Sequence, residues 1–285
     1  MKQQEFLLEN YSSFNLRDIF ECGQCFRWNE EAENSYTGVF GNNVINVSKT
    51  TKGILFKGVC ENDIVNTVID YFDLDRDYNE IKRILAKVDN NMKESIKYGE
   101  GIRILNQDLW ETIISFIISA NNNIPRIKLI IERISKQYGT KIEFRGRTYY
   151  TFPTPKMLEN ATVQDFRNLG LGFRDKRVYE TVQKTLKNEI DLNKLEKEKN
   201  IETLRNELLE IPGVGPKVAD CVMLFALKKF EVFPVDVWVR RVIAELYFEN
   251  SEQQPKTIQR FAKEQYGNLA GLAQQYLFYW KRDTA

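Results

Sequence analysis

The segment from Leu204 to Lys217 reads LRNELLEIPGVGPK, and its two glycines restrict the fold more than any other part of the chain. Apolar residues at helical spacing lie before and after them, which predicts a helix, a hairpin turn and a second helix. Gly213 and Gly215 have no Cβ, so their backbone N–H groups can approach a phosphate closely. Pro216 fits the first turn of the second helix, which places Lys217 at a helix amino end.

Lys217 is an unusual residue for that position. A cation at the positive end of a helix dipole is disfavoured, and partial burial acts in the same direction, so we expect a neutral, nucleophilic amine. The alternative is that Lys217 only touches a phosphate or solvent. Further along, PVDVWVRRVIAEL opens another helix, and Asp236 fits its amino end. Taken alone, Asp236 is more simply a helix cap than a catalytic group.

Five segments in order carry a resemblance to a known family: GQCFRW, SANNNIPRI, LGLGFR, the glycine hairpin, and AGLAQQYLF. The hairpin, the lysine and the PVD segment resemble the helix-hairpin-helix DNA glycosylase superfamily. The other four segments resemble its 8-oxoguanine DNA glycosylase/lyase branch. This resemblance spans most of the chain. It implies excision of 8-oxoguanine from double-stranded DNA, preferentially opposite cytosine, and β-elimination at the abasic site through a lysine Schiff base.

The resemblance also implies a role for each matching residue. Lys217 would attack the sugar, and Asp236 would stabilise the charge that develops there. The base-binding residues would be Gly23, whose carbonyl accepts the N7–H of 8-oxoguanine, Gln274 at the Watson–Crick edge, and Cys221 and Phe278 on the two faces of the purine. The DNA-binding residues would be Gly213 and Gly215 on phosphates, Asn121 in the vacated gap, Phe173 as a wedge, and Arg126 and Arg174 on the orphaned cytosine.

Some of these residues also have simpler explanations. Taken singly, Cys221 and Phe278 fit ordinary core packing, and the asparagine loop and the arginines fit a polar surface. One residue departs from the family pattern, because Trp238 stands where eukaryotic relatives carry histidine. That change removes a hydrogen bond near Asp236, so the proton relay is in question while the reaction class is not.

Composition excludes several other chemistries. The chain has 285 residues and no histidine, which excludes Ser-His-Asp and Cys-His catalysis and disfavours a zinc site. The net charge is +1, so any DNA-binding face must be local. Cys22 and Cys25 have the spacing of a thiol-disulfide motif, but they lead into FRW and a β-meander. No cysteine follows Cys221, so we expect no iron–sulfur cluster, no other metal and no required cofactor.

The chain divides into an α+β part and a helical part. From residue 36 to 59 short β-prone runs alternate with turn residues, which predicts an antiparallel meander. From Gln107 onward almost every segment has helical periodicity. We therefore expect an N-terminal domain over 1–100, TATA-binding-protein-like by resemblance, and a mainly α-helical glycosylase region over 101–285. The helix-hairpin-helix would cover about 204–227, and the C-terminal helix would pack across the lobes.

The predicted partner is double-stranded DNA containing 8-oxoguanine, bound by a monomer. No apolar run is long enough to span a bilayer and no signal peptide opens the chain, so we expect an intracellular protein, in the cytoplasm or nucleoid of a bacterium or the nucleus of a eukaryote. Three alternatives remain open. They are a helix-hairpin-helix glycosylase for another lesion, a noncatalytic DNA-binding module, and a thiol oxidoreductase at CGQC.

Overall fold

The computed structural model describes residues 2–9 and 11–284. The strands are β1 (Gln3–Glu9), β2 (Trp28–Ala32), β3 (Ser35–Phe40), β4 (Asn43–Thr50), β5 (Gly53–Val59), β6 (Lys141–Phe144) and β7 (Arg147–Tyr150). The helices are α1 (Leu16–Glu21), α2 (Ile64–Tyr71), α3 (Tyr78–Leu85), α4 (Asn90–Tyr98), α5 (Leu109–Ser119), α6 (Ile124–Tyr138), α7 (Val163–Asn168), α8 (Asp175–Leu186), α9 (Leu192–Lys197), α10 (Ile201–Leu209), α11 (Pro216–Phe225), α12 (Val237–Tyr247), α13 (Pro255–Tyr266) and α14 (Ala270–Thr284). Short 3₁₀ turns lie at Lys156–Leu158, Gly172–Arg174 and Gly267–Leu269.

The N-terminal part contains a five-stranded antiparallel sheet in the order β1-β5-β4-β3-β2. Its centre, β3 to β5, is the predicted meander. The edge strands β1 and β2 were not predicted, because QQEFLLE and WNEEA are too polar to show the alternation of a half-buried strand. They pair with β5 and β3, and this pairing overrides their weak local preference. A sheet followed by helices confirms the α+β class.

The remainder of the chain is mainly helical, with one exception. Strands β6 and β7 pair antiparallel around Arg145 and Gly146, which both have positive φ. This hairpin was not predicted, since each strand is only four residues long. Within the part of the chain described, none of the helices has the length and apolar character needed to cross a bilayer.

Helix α14 links the helical region to the N-terminal part. It packs against α4, and its Tyr279 hydroxyl donates a hydrogen bond of 3.3 Å to the carboxylate of Asp18. Arg282 on the same helix donates to the backbone oxygen of Glu21 at 2.7 Å. These contacts join residues on the two sides of the predicted domain boundary near residue 100. That boundary stays a prediction. The C-terminal helix is held close to the loop that contains Gly23.

Helix α11 is fixed by a buried carboxylate. Asp220 is fully buried, forms an ion pair of 2.6 Å with Arg205 of α10, and accepts a hydrogen bond of 2.8 Å from Gln259 of α13. Burial raises the pKa of the Asp220 carboxyl from 3.8 to about 7, although Arg205 and Gln259 act against this rise. Asp220 therefore orients α11, and with it Lys217 and Cys221. When its carboxyl group is ionised, the burial of that charge lowers the free energy of unfolding.

This raised pKa predicts a pH-dependent stability. Between the unfolded pKa of 3.8 and the folded pKa of about 7, the unfolded chain releases the Asp220 proton while the folded chain retains it. The contribution of Asp220 therefore destabilises the fold progressively as pH rises through this window. We expect the unfolding free energy of Asp220→Asn, relative to the unsubstituted protein, to increase from pH 4 to pH 7. Urea titrations at several pH values would measure it, and a constant difference would contradict the assignment.

Candidate active site

The turn between α10 and α11 has the geometry of a backbone anion site. Gly213 has φ of +86°, and a Cβ there would lie 2.8 Å from Cδ of Arg177, so glycine is needed. Gly215 is the N-cap of α11 and has open space around its Cα. No acceptor in the described ranges pairs with the backbone N–H of either glycine. Both N–H groups are therefore available to a phosphate at a helix amino end.

Lys217 is the second residue of α11, as the sequence predicts. Its side chain is half-buried, and its Nζ lies 5.1 Å from the ring centroid of Phe116 on α5. It lines the same cleft as Asp236. Asp236 is the N-cap of α12, where its Oδ1 accepts a hydrogen bond of 2.8 Å from the backbone N–H of Val239. Asp236 therefore caps α12 and also lines the cleft.

The cleft brings together side chains from widely separated parts of the chain. Its lining contains all six residues chosen for catalysis and base binding, namely Gly23, Lys217, Cys221, Asp236, Gln274 and Phe278. The remaining lining residues are Phe116, Phe225, Pro234, Val239 and Gln275. The open volume is about 40 Å³, much less than ordinary ligand pockets offer. A purine can enter only if a lining side chain moves.

The loop that contains Gly23 is held by its neighbour Gln24. Gln24 is fully buried; its amide donates to the backbone oxygen of Arg103 at 2.7 Å and accepts from the N–H of Leu105 at 2.8 Å. Gly23 has φ of +86°, which favours glycine, and a Cβ there would lie 3.2 Å from Cε1 of Phe278. The backbone of residue 23 therefore faces the Phe278 ring directly.

Cys221 is a neutral thiol in this setting. Burial raises the pKa of the Cys221 thiol to about 11, although the neighbouring Lys217 lowers it. A protonated, polarisable sulfur can pack against the face of a base. Cys22 and Cys25 are also buried and free, and burial raises the pKa of Cys22 to about 12. Reactive CxxC pairs need an accessible thiolate, so the geometry disfavours the oxidoreductase alternative.

The residues predicted to contact DNA lie together near the cleft. Asn121 is exposed with φ of +51°, at the turn between α5 and α6. Arg126, in the first turn of α6, is exposed, and its guanidinium donates to the backbone oxygen of Gly170 at 3.3 Å. Phe173 is 58% exposed, and the guanidinium carbons of Arg174 and Arg177 lie 4.2 Å and 5.7 Å from the centroid of its ring. An exposed aromatic ring beside cations suits a wedge in a base stack.

Arg174 differs from Arg126 in its exposure. It is only 2% exposed, and its guanidinium donates to the backbone oxygens of Ala120 at 2.9 Å and Asn121 at 2.7 Å. Burial and the neighbouring Arg126 and Arg177 lower the pKa of Arg174. Arg174 thus fixes the turn that presents Asn121, while Arg126 is exposed and is held by a hydrogen bond of 3.3 Å to the backbone oxygen of Gly170. The sequence could not distinguish these two situations.

Several residues at the site were missed by sequence reasoning. Phe116 lies in an apolar helical run, which gives no sign that one of its residues lines a cleft. Gln275 lies in the segment AGLAQQYLF, in which only Gln274 and Phe278 were assigned to base binding. Trp238 does not line the cleft; its side chain is half-buried and its indole N–H is buried without a hydrogen-bond partner in the described residues. Among residues 2–9 and 11–284, no group of three or more His, Cys, Asp or Glu side chains is arranged to hold a metal ion.

Comparisons with known proteins agree with this fold. Residues 6–113 match the family model of the 8-oxoguanine DNA glycosylase N-terminal domain, and residues 114–267 match the HhH-GPD superfamily of base excision DNA repair proteins. The probable N-glycosylase/DNA lyase of Methanothermobacter thermautotrophicus is 33% identical over 73% of this chain and 71% of its own. The N-glycosylase/DNA lyase of Saccharomyces cerevisiae is 33% identical over 84% of this chain and 69% of its own.

A solved structure is similar over the whole length. It is the 8-oxoguanine glycosylase/lyase of Clostridium acetobutylicum in complex with double-stranded DNA containing cytosine opposite 8-oxoguanine, with a TM-score of 0.93, 41% identity, and coverage of 100% of this chain and 98% of that one. The fold and the hairpin site define a helix-hairpin-helix base-excision repair enzyme. Within that class, the chain belongs to the 8-oxoguanine DNA glycosylase family.

Proposed function

We propose that this protein excises 8-oxoguanine from duplex DNA, fastest opposite cytosine, and then cleaves the abasic strand through a Schiff base on Lys217. The observation that carries the proposal is the shared cleft of Lys217, Asp236, Gly23, Cys221, Gln274 and Phe278. The similar Clostridium acetobutylicum enzyme, described as a glycosylase/lyase and bound to an 8-oxoguanine:cytosine duplex, supports the same assignment. The proposed partner is duplex DNA, bound by a monomer that requires no cofactor.

The reaction begins once the damaged nucleotide has rotated out of the duplex. The Lys217 amine adds to C1′ while the bond from C1′ to the base nitrogen breaks, and the base leaves with the bonding electron pair and takes up the proton that the new C–N linkage releases. Asp236 stabilises the positive charge that develops on the sugar. Opening of the sugar ring gives an iminium between C1′ and Lys217. Loss of a C2′ proton then expels the 3′ phosphate, which breaks the strand.

Recognition of the oxidised base rests on one carbonyl. 8-Oxoguanine carries an N7–H donor, whereas guanine has a lone pair at N7. The backbone oxygen of Gly23 accepts from the donor, and a lone pair facing it would cost about 1–3 kcal/mol. A Cβ on Gly23 would lie 3.2 Å from the ring of Phe278, and the open volume of the cleft is about 40 Å³, so we expect Phe278 to rotate when the base enters between itself and Cys221.

A panel of four duplexes, each with 8-oxoguanine opposite a different base, tests this function. Single-turnover rates of base release and of strand cleavage should be measured separately, since they report the glycosylase and lyase steps. We expect measurable excision of 8-oxoguanine, with the fastest rate in the duplex that carries cytosine opposite the lesion. Absence of excision from every duplex would contradict the proposed substrate, and a duplex with an alkylated purine would then test the nearest alternative.

Arg126 should set part of the preference for cytosine. Its exposed guanidinium can donate two hydrogen bonds to cytosine, and a good bidentate contact gives about 1–3 kcal/mol of discrimination. We therefore expect Arg126→Ala to reduce the ratio of excision rates opposite cytosine and opposite adenine by roughly tenfold. Lys136→Ala, which removes an exposed charge from the last turn of the same helix, is the matched control. An unchanged ratio in Arg126→Ala would remove this role.

A further inference from the structure

Arg177, in the first turn of α8, is an exposed cation beside the glycine hairpin. Its aliphatic stem packs against Gly213, where a Cβ would lie 2.8 Å from Cδ and 3.1 Å from Cβ of Arg177. One turn further along α8, the hydroxyl of Thr181 donates to the backbone oxygen of Pro212 at 3.3 Å. Helix α8 and the hairpin are therefore joined here, and Arg177 lies exposed at their junction.

The guanidinium group of Arg177 also lies near the predicted wedge. Its central carbon is 5.7 Å from the ring centroid of Phe173, whose side chain is exposed. The stem contacts the hairpin while the guanidinium group lies on the side of Phe173, so Arg177 spans the surface between these two features. A duplex that is held by the hairpin and entered by Phe173 therefore passes over the Arg177 side chain.

The charge around Arg177 is positive and unbalanced. No acidic side chain in the described ranges forms an ion pair with Arg126, Arg174 or Arg177. The carboxylate of Asp175, two residues before Arg177, pairs instead with Arg167 at 2.7 Å. Burial, and then the charges of Arg126 and Arg177, lower the pKa of Arg174. Like charges gathered in this way attract an anionic partner.

Arg177 differs from the two neighbouring arginines in its hydrogen bonds. The guanidinium groups of Arg126 and Arg174 donate to backbone oxygens of adjacent turns. Within residues 2–9 and 11–284, the hydrogen bond made at residue 177 outside the helix ladder is to its backbone oxygen, from the hydroxyl of Thr181. The N–H donors of the Arg177 side chain are therefore all available. Their planar fork matches two oxygens of a phosphate group.

We propose that Arg177 donates its guanidinium fork to one phosphate of the duplex backbone, beside the phosphate held by the N–H groups of Gly213 and Gly215. The inference rests on the proposed binding of duplex DNA, and it adds a contact that the family resemblance does not assign. A backbone contact carries no sequence information, so its strength is the same whichever base lies opposite the lesion. Arg177 differs in this respect from Arg126, whose proposed role is to discriminate between opposite bases.

The salt dependence of binding tests the contact. The ligand is a duplex with a tetrahydrofuran abasic-site analogue opposite cytosine or adenine, because this analogue cannot form the Schiff base. Arg177→Met keeps most of the stem against Gly213 and removes the charge. We expect roughly tenfold weaker binding of both duplexes. The slope of log K against log salt concentration, between about 50 and 200 mM, should become shallower by about 0.9. Arg177→Lys restores the charge without the fork, so it should restore the slope.

A second measurement locates the phosphate. Neutral methylphosphonates replace single phosphates, one at a time, on both strands near the analogue. At the phosphate that Arg177 contacts, the replacement should weaken binding by the unsubstituted protein roughly tenfold. It should cause little further loss in Arg177→Met, because that variant has already lost the interaction. At every other phosphate the losses from the protein change and the DNA change should add.

The matched control is Lys187→Met, which removes a charge from the exposed C-cap of the same helix. Its affinity and salt slope should equal those of the unsubstituted protein. If Arg177→Met binds weakly with an unchanged slope, the arginine only packs on the hairpin and the inference is wrong. The absence of any phosphate coupled to Arg177 would overturn it as well, while the proposed function would stand. Failure of the unsubstituted protein to bind the duplex would overturn the proposed function and the inference together.

Discussion

Lys217→Gln should abolish base excision and strand cleavage together. Glutamine keeps most of the length of lysine but has no amine to add to C1′, so we expect the single-turnover rate to fall by roughly 10⁴-fold or below detection. Binding of a lesion duplex should persist, because the hairpin N–H groups of Gly213 and Gly215 are unchanged. Fluorescence anisotropy for binding and gel separation of cleaved strands would measure the two properties on the same duplex.

The matched control for this variant is Lys52→Gln. Lys52 lies in the exposed turn between β4 and β5, so its substitution makes the same charge change away from the cleft. Its rates should match those of the unsubstituted protein. A Lys217→Gln protein that excises at the normal rate would show that Lys217 only contacts a DNA phosphate or solvent and takes no part in the reaction.

Asp236→Asn should cause the next largest loss of activity while the fold stays intact. Asparagine caps helices as well as aspartate does, so the hydrogen bond to the N–H of Val239 and the start of α12 are preserved. The variant loses only the negative charge at the cleft. Removing one preorganised electrostatic group costs about 10²–10³ in rate, and we expect excision to fall by this amount.

The comparison with another helix cap isolates that effect. Asp63 caps α2 by accepting from the backbone N–H of Asn66 at 3.1 Å. Asp63→Asn makes the same chemical change in the N-terminal part, and we expect its unfolding temperature and excision rate to be normal. If Asp236→Asn excises as fast as Asp63→Asn, Asp236 is a cap and takes no part in the reaction.

Local backbone chemistry made the hairpin predictable from sequence. Two glycines and a proline specify the turn, and the structure begins α11 at Pro216 and leaves Lys217 in its first turn. The meander of β3 to β5 was predictable for the same reason, since turn residues separate its strands. Strand β1 was not, because it is ordered by pairing with the distant β5. Strand β2 and the β6–β7 hairpin were not, because their strands are too polar or too short to show the alternation of a half-buried strand.

The composition of the cleft was only partly predictable. The residues chosen for catalysis and base binding came from a family resemblance, and the structure places all of them at one cleft, although their roles stay predictions. Phe116 and Gln275 could not be found from sequence, because nothing local to α5 or α14 shows which side chains meet across the cleft. The burial of Arg174 was hidden for the same reason, since its partners are backbone oxygens of another loop.

The covalent intermediate at Lys217 is the feature on which the proposed mechanism most depends. Reduction with borohydride during turnover of an 8-oxoguanine:cytosine duplex converts an iminium into a stable amine link between protein and DNA. Digestion of the trapped complex, followed by mass spectrometry of the peptides, identifies the modified residue. The mechanism predicts a single sugar-derived adduct on the peptide that contains Lys217. Excision without a trapped complex, or an adduct on a different residue, would contradict it.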